Sequence, residues 1–310
     1  MDRRQFLLGS ALTGSALLLP APPGILPGWW RQAAAAEPPD LVRTSGGEPA
    51  AATRRAVAAL GGMERFVSRG AVVVIKPNIG FDRRPELAAT THPAVVATLA
   101  ELCLEAGARR VKVFDRPVND ARRCYVQSGI AAALEPLEVE LKYVDQRRFR
   151  DMDTGGDVLR RWPIYREAVE ADVLINAPIA KHHGLSRLTM GIKNLMGILG
   201  GNRSRIHQRL DQALAELVAF IPPTLTVLDA TRILVANGPQ GGNPDDVRHP
   251  GVIIAGRDPV AVDSLGAALF DLRGSELGFV REAIRLGVGE GNLDRLRRSW
   301  PGGFDRLYRP

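Results

Sequence analysis

Residues 71–78 read AVVVIKPN and residues 91–114 read THPAVVATLAELCLEAGARRVKVF; together they spell strand, helix, strand. The β-branched run Ala71–Ile75 suits a buried strand. Pro93 stands at a first helical turn behind a Thr91 or His92 cap, Gly107 ends the helix, and Val111–Phe114 begins a second strand. Working outward, further strands are expected near Val139 and over Asp172–Asn176, Leu225–Asp229 and Gly251–Ala255. Helices are expected over Ala121–Leu134, Leu188–Leu199, Ile206–Ile221, Pro259–Leu269 and Glu276–Leu286. This alternation predicts an α/β fold: an open, mostly parallel sheet flanked by helices, in a single domain over residues 48–310. The polar, glycine-bearing stretch Arg147–Trp162 reads as a surface loop, and residues 37–47 as a linker.

Composition narrows the function. Of 310 residues, 45% are hydrophobic, enough for a full core, and 5% are aromatic. The net charge of +7 comes from 41 basic residues dispersed among 34 acidic ones, without the one-sided concentration that nucleic-acid binding demands. Two cysteines, Cys103 and Cys124, are too few to hold an iron–sulfur cluster or a four-cysteine zinc site within this chain, and they read as free, buried thiols.

The chain opens MDRRQFLLGSALTGSALLLP, with Arg3 and Arg4 ahead of a modest, glycine-diluted apolar run, and Ala33–Ala36 offer a small-residue cleavage site. Residues 1–36 are therefore expected to be a twin-arginine signal peptide read by that export machinery, delivering a periplasmic or otherwise exported protein with no transmembrane span in its mature form.

Five of the expected strands, all but that near Val139, run into a polar group: IKPN (75–78), FDR (114–116), NAPIAKHH (176–183), LDA (228–230) and AGRDP (255–259). In a parallel sheet the carboxyl ends share one edge, where ligands bind, so these groups should converge. Lysine usage points the same way. Of the 41 basic residues only five are lysines, and Lys76, Lys181 and Lys193 fall in these segments; a lysine among arginines suits a compact or deprotonatable charge. They are expected to cradle a small anion, or one to act as a proton-transfer amine, with Asn78, Asn194 and Asn237 orienting the ligand. Lys112 and Lys142 read as solvated lysines on strand faces. Lys181, His182 and His183 form the expected catalytic group, with imidazole titrating near neutrality.

A divalent metal on Asp229, Asp263 and His207 is the accompanying expectation, although no HxH, HExxH or CxxC spacing supports it. Helix capping alone accounts for Asp258, which precedes Pro259. Asp263 sits among apolar neighbours and needs a partner, with Lys76 or Lys193 within consideration. The glycine clusters at 197–202 and 237–242 match neither dinucleotide nor P-loop spacing.

IKPN, the THP-led helix, the run from INAPIAKHH to GIKNLMGILGG, NGPQGG and AGRDPVAVD resemble, in this order, the domain-of-unknown-function family 362 over about residues 72–269. Some members of that family resemble iron–sulfur proteins through ferredoxin-type cysteine clusters, which this chain lacks. The resemblance implies no particular reaction. The residues favour an exported protein acting on a small anionic substrate, metal-assisted or metal-free; a non-catalytic ligand or metal carrier and an accessory protein to a redox system are the alternatives.

Overall fold

The computed structural model describes residues 37–299; the expected signal peptide lies outside them. Strands β1 (Leu41–Ser45), β2 (Val72–Pro77), β3 (Arg110–Val113), β4 (Glu140–Leu141), β5 (Phe149–Asp153), β6 (Arg161–Tyr165), β7 (Val173–Ala177), β8 (Ile179–His183), β9 (Arg187–Thr189), β10 (Leu225–Leu234), β11 (Val247–Arg248), β12 (Val252–Gly256) and β13 (Arg298–Ser299) follow in chain order. Eleven of them form a mixed, mostly parallel sheet whose main path runs β13-β1-β12-β10-β7-β2-β3-β4. The described helices are α1 (Pro49–Ala59), α2 (Pro93–Glu105), α3 (Ala121–Gln127), α4 (Ile130–Leu134), α5 (Arg166–Val169), α6 (Gly191–Asn194), α7 (Leu210–Phe220), α8 (Pro259–Ala267) and α9 (Gly278–Arg285). None is long and apolar enough to cross a membrane.

The two-residue period of each strand divides the core. Val73, Ile75, Val227 and Ile253 pack with α1 and α2 on one face, while Val74, Leu228 and Ile254 pack with α7, α8 and α9 on the other. Both faces are covered, so the central strands are apolar throughout, as in parallel sheets generally. Helix α2 starts as its sequence indicates: the Nδ1 of His92 accepts the Ala94 N–H at 3.1 Å and Pro93 follows. Gly107 takes a φ of +87° just past its end, a conformation in which a side chain would be strained. Both cysteines are free and buried.

Five expectations are corrected here. The segment read as a linker contributes β1, whose Leu41 and Val42 are fully buried and whose register runs antiparallel to β12; its partner lies two hundred residues away, beyond the reach of local pattern. Residues 149–165 form the hairpin β5–β6 instead of a loop. The helix expected over 121–134 breaks at Gly129, with φ +72°. Residues 187–198 hold a short strand, the single turn α6 and a 3-10 turn instead of one helix. Lys112 is ion-paired at 3.0 Å with the buried Glu167 instead of being solvated.

One further difference matters for function. β12 runs antiparallel to β10, so its carboxyl end, with AGRDP, sits at the edge opposite to those of β2, β3 and β7. The 235–251 connection holds one 3-10 turn, Pro244–Asp246, and no α-helix, which is the mark of an antiparallel return, because parallel neighbours need a long crossover. β10 runs on for ten residues, pairing first with β7 and then with β8, which makes LDA mid-strand and turns IAKHH into a strand of its own.

Candidate functional site

Three of the five polar groups do converge. β2 delivers Lys76 and Asn78, the residues after β3 deliver Asp115 and Arg116, β8 delivers Lys181 and His183, and α6 delivers Lys193 and Asn194; all line one cavity of about 490 Å³. Arg203, His207, Phe81 and the Gly238–Pro239 turn complete its wall. Five basic side chains and one carboxylate therefore share one recess at the carboxyl ends of parallel strands, the position where open α/β sheets bind ligands.

The three lysines are almost fully buried, yet their ammonium groups meet different partners. Lys76 Nζ has three oxygen acceptors for three N–H bonds: Asp115 Oδ1 at 2.7 Å, the Pro77 carbonyl at 2.7 Å and Asn194 Oδ1 at 3.2 Å. Burial pulls its pKa down while Asp115 opposes that shift, and the full set of acceptors marks it as the charged half of a buried pair. Lys181 Nζ has two acceptors, both neutral: Asn78 Oδ1 at 3.1 Å and the Ala89 carbonyl at 2.5 Å. Its amine also stands 4.8 Å from the centre of the Phe81 ring. Burial, with the Lys193 and Lys76 charges adding to it against the opposing Asp115, brings its pKa down to about 7. Two acceptors suit the two N–H bonds of a neutral amine. Among the described residues, Lys193 Nζ has only the thioether of Met196, at 3.3 Å; burial first, and Arg203 second, lower its pKa to about 8.

Asparagines hold these lysines in register. Asn194 Nδ2 donates to Asn176 Oδ1 at 2.8 Å and to the Lys76 carbonyl at 3.1 Å, while its Oδ1 accepts from Asn78 Nδ2 at 3.0 Å. Asn176 Nδ2 in turn donates to the Gly191 carbonyl at 2.8 Å. Asp263 is the anchor below: its two carboxylate oxygens accept the Gly191 and Ile192 N–H groups at 2.6 and 2.9 Å, fixing the turn that carries Lys193 and Asn194. Gly197 is demanded by packing, because a Cβ there would run into Asp115 Oδ1 and come within 2.5 Å of Lys76 Cε. Arg116 spends its guanidinium on the Leu199 and Gly201 carbonyls, at 2.7 and 3.2 Å. Arg203 does likewise on those of Arg116 and Pro117, at 3.1 and 3.2 Å.

The histidines divide. His183 lines the cavity; its Nδ1 accepts the Leu185 N–H at 3.1 Å, which leaves the ring proton on Nε2. Burial and the surrounding cations hold its pKa near 3, so it is a neutral hydrogen-bond donor. His207 also lines the cavity, its pKa lowered by burial and by Lys193 and Arg203. His182 instead accepts the Gly238 N–H at 3.1 Å and shapes the wall from behind. Asn237 turns away to Asp246, at 2.9 Å.

The expected metal triad does not assemble. Asp229 pairs with Arg232 at 2.9 Å and accepts the His92 N–H at 2.7 Å, Asp263 serves α6, and only His207 reaches the cavity. Among the described residues no group of three or more His, Cys, Asp and Glu side chains could hold a metal ion. Sequence reasoning left Arg203 and Phe81 out of the site, and placed Arg116 and Asn176 in the converging groups without giving either a role. Arginine is this chain's default cation, so composition set neither Arg116 nor Arg203 apart.

Fold and site together define an α/β protein with a recess lined by basic side chains at the strand ends. The chain belongs to the domain-of-unknown-function family 362, whose model matches residues 73–268. It is 30% identical over 250 residues to a thylakoid-associated protein of Synechocystis, covering 78% of this chain and 76% of that protein. Among solved structures it is similar to the lactate racemase apoprotein of Thermoanaerobacterium thermosaccharolyticum (13% identity, TM-score 0.41, over 63% of this chain and 50% of that one). It is also similar to a Thermotoga maritima structural-genomics protein (12% identity, TM-score 0.40, over 77% of this chain and 60% of that one). This chain therefore matches half the length of the racemase chain, and likenesses this loose carry no argument about the site.

Proposed function

We propose that the recess binds a small anionic substrate and acts on it through the Lys181 amine. One observation carries this reading: Lys193 is a buried ammonium with no oxygen partner among the described residues, at the wall of a cavity that also holds Lys76, Arg116, Arg203, the Lys181 amine and a single, already paired carboxylate. A bare buried cation costs several kcal/mol until an anion arrives, so the site is arranged for a ligand and not for its own stability. Lys193 with Arg203 would hold the anion. Lys76 would supply fixed charge through the Asp115 pair, the neutral His183 would donate from Nε2 to a ligand oxygen, and Lys181 would move a proton or bond to the ligand.

This reading transfers the proton-handling role from the histidine pair to the lysine and calls on no metal. The twin-arginine reading of residues 1–36 remains part of the proposal, placing the anion beyond the cytoplasm.

Thermal unfolding against a panel of sulfate, phosphate and small mono- and dicarboxylates tests the reading. At least one should raise the midpoint, since an anion at a hundred times its Kd stabilises by about 2.7 kcal/mol. A panel without effect at low ionic strength rejects an anion site.

A further inference from the structure

We propose that Lys181 is a nucleophile whose amine condenses with the carbonyl of a small anionic carbonyl compound, a 2-oxo acid in its simplest form, to give an imine. The inference rests on the anion-binding reading above and adds the substrate class. Its basis is the difference between the three lysines. Lys76 is saturated by three oxygens, one of them a carboxylate, so its nitrogen has no lone pair to offer. Lys181 is held by two neutral oxygens, which accommodate both N–H bonds of the free amine and leave the lone pair uncommitted. The one carboxylate of the cavity is engaged by Lys76 and by the Ile79 and Arg116 N–H groups, so it cannot serve Lys181 as a partner. Burial beside other cations then keeps a large share of the amine unprotonated at neutral pH, the arrangement by which lysines become nucleophilic.

The rest of the recess suits the same chemistry. An anionic carbonyl compound has a carboxylate to place against Lys193 and Arg203 and a carbonyl carbon to present to Lys181, all at one wall system. Phe81 covers the amine on one side and limits water there. In the reaction the nitrogen lone pair forms a C–N bond as the carbonyl π bond breaks. One nitrogen proton goes to the oxygen to give the carbinolamine, the second nitrogen proton follows as the C–O bond breaks, and the oxygen leaves as water carrying both, so that the neutral imine remains. His183, a neutral Nε2–H donor in the same cavity, suits the developing oxyanion.

Glyoxylate, the smallest anionic aldehyde, with cyanoborohydride to reduce any imine, provides the test on the folded wild-type protein. Hydride reduction leaves a carboxymethyl group on the reacting nitrogen, located by peptide mass spectrometry. Lys181 should be labelled at least about tenfold faster than Lys142 at neutral pH, because an ordinary lysine is almost wholly protonated there, and sulfate should suppress the labelling. Absent Lys181 labelling, or equal labelling of Lys142, overturns the inference. If sulfate still raises the unfolding midpoint in that case, the anion-binding reading survives alone; if it does not, both fall. No variant has to fold for this result.

Discussion

Replacing Lys193 by methionine separates a site arranged for a ligand from one arranged for stability. The ammonium is buried with a thioether as its sole partner among the described residues, and it holds its proton only to about pH 8 where a free lysine holds it to 10.5. At pH 7 that difference costs the native state about 3 kcal/mol, at 1.36 kcal/mol for each pKa unit. The sign follows from proton counts. Between pH 8 and 10.5 the unfolded chain holds a proton that the native state has released, so stability rises with pH across that window and the cost is present in full below it. Methionine keeps the length and apolar stem and removes the charge, so Lys193→Met should be more stable at pH 7 by about 2 kcal/mol, after allowance for imperfect repacking. That corresponds to a midpoint higher by roughly 4 °C for a domain of this size. The same variant should lose the stabilisation that sulfate or phosphate gives the wild type, the trade of stability against function seen when an active site carries a strained charge. Scanning calorimetry at pH 7 with and without sulfate reads both effects. A variant that is destabilised and still responds to sulfate would show that Lys193 is an ordinary structural lysine.

Other outcomes follow from the same geometry. Gly197→Ala should destabilise by roughly 3 kcal/mol in chemical denaturation, because its Cβ displaces the buried Lys76–Asp115 pair; a loss below about 0.5 kcal/mol would contradict that packing. Asp263→Asn leaves one oxygen for two N–H groups and should cost about 2 kcal/mol, with anion affinity falling as α6 loosens. Burial holds the Asp263 carboxyl up to about 7 against an ordinary 3.8. Between those values the native state keeps a proton the unfolded chain has lost, and stability falls as pH rises. The gap between wild type and Asp263→Asn should therefore narrow from pH 4 to pH 7 in urea titrations at fixed salt, and a constant gap would show that Asp263 does not titrate there.

What the sequence disclosed depended on the range of the interaction. The strand–helix–strand unit at 71–114 was legible because its period, proline and glycine are local. The convergence of Lys76 and Lys181 was legible because lysine is rare here and both stand on strands that share a direction, whereas Lys193 follows β9, which runs antiparallel to β8, and enters through α6. Strand direction itself was not legible from GVIIA, whose antiparallel setting against β10 carried AGRDP to the far edge; a connection before it with no α-helical crossover was the available sign. Asp229 and Asp263 misled for one reason. A buried carboxylate satisfied by a neighbouring arginine or by backbone N–H groups looks, in one dimension, the same as a ligand. The pairing of β1 with β12 lies beyond any local pattern.

Where an anion sits decides what the recess is for. Diffraction from crystals soaked in selenate, read at the selenium edge, measures that directly. An anomalous peak is expected in the recess, within hydrogen-bonding distance of Lys193 Nζ and facing Arg203, with the Lys76–Asp115 pair intact beneath it. Peaks confined to exposed surface arginines, with the recess filled by water, would contradict it.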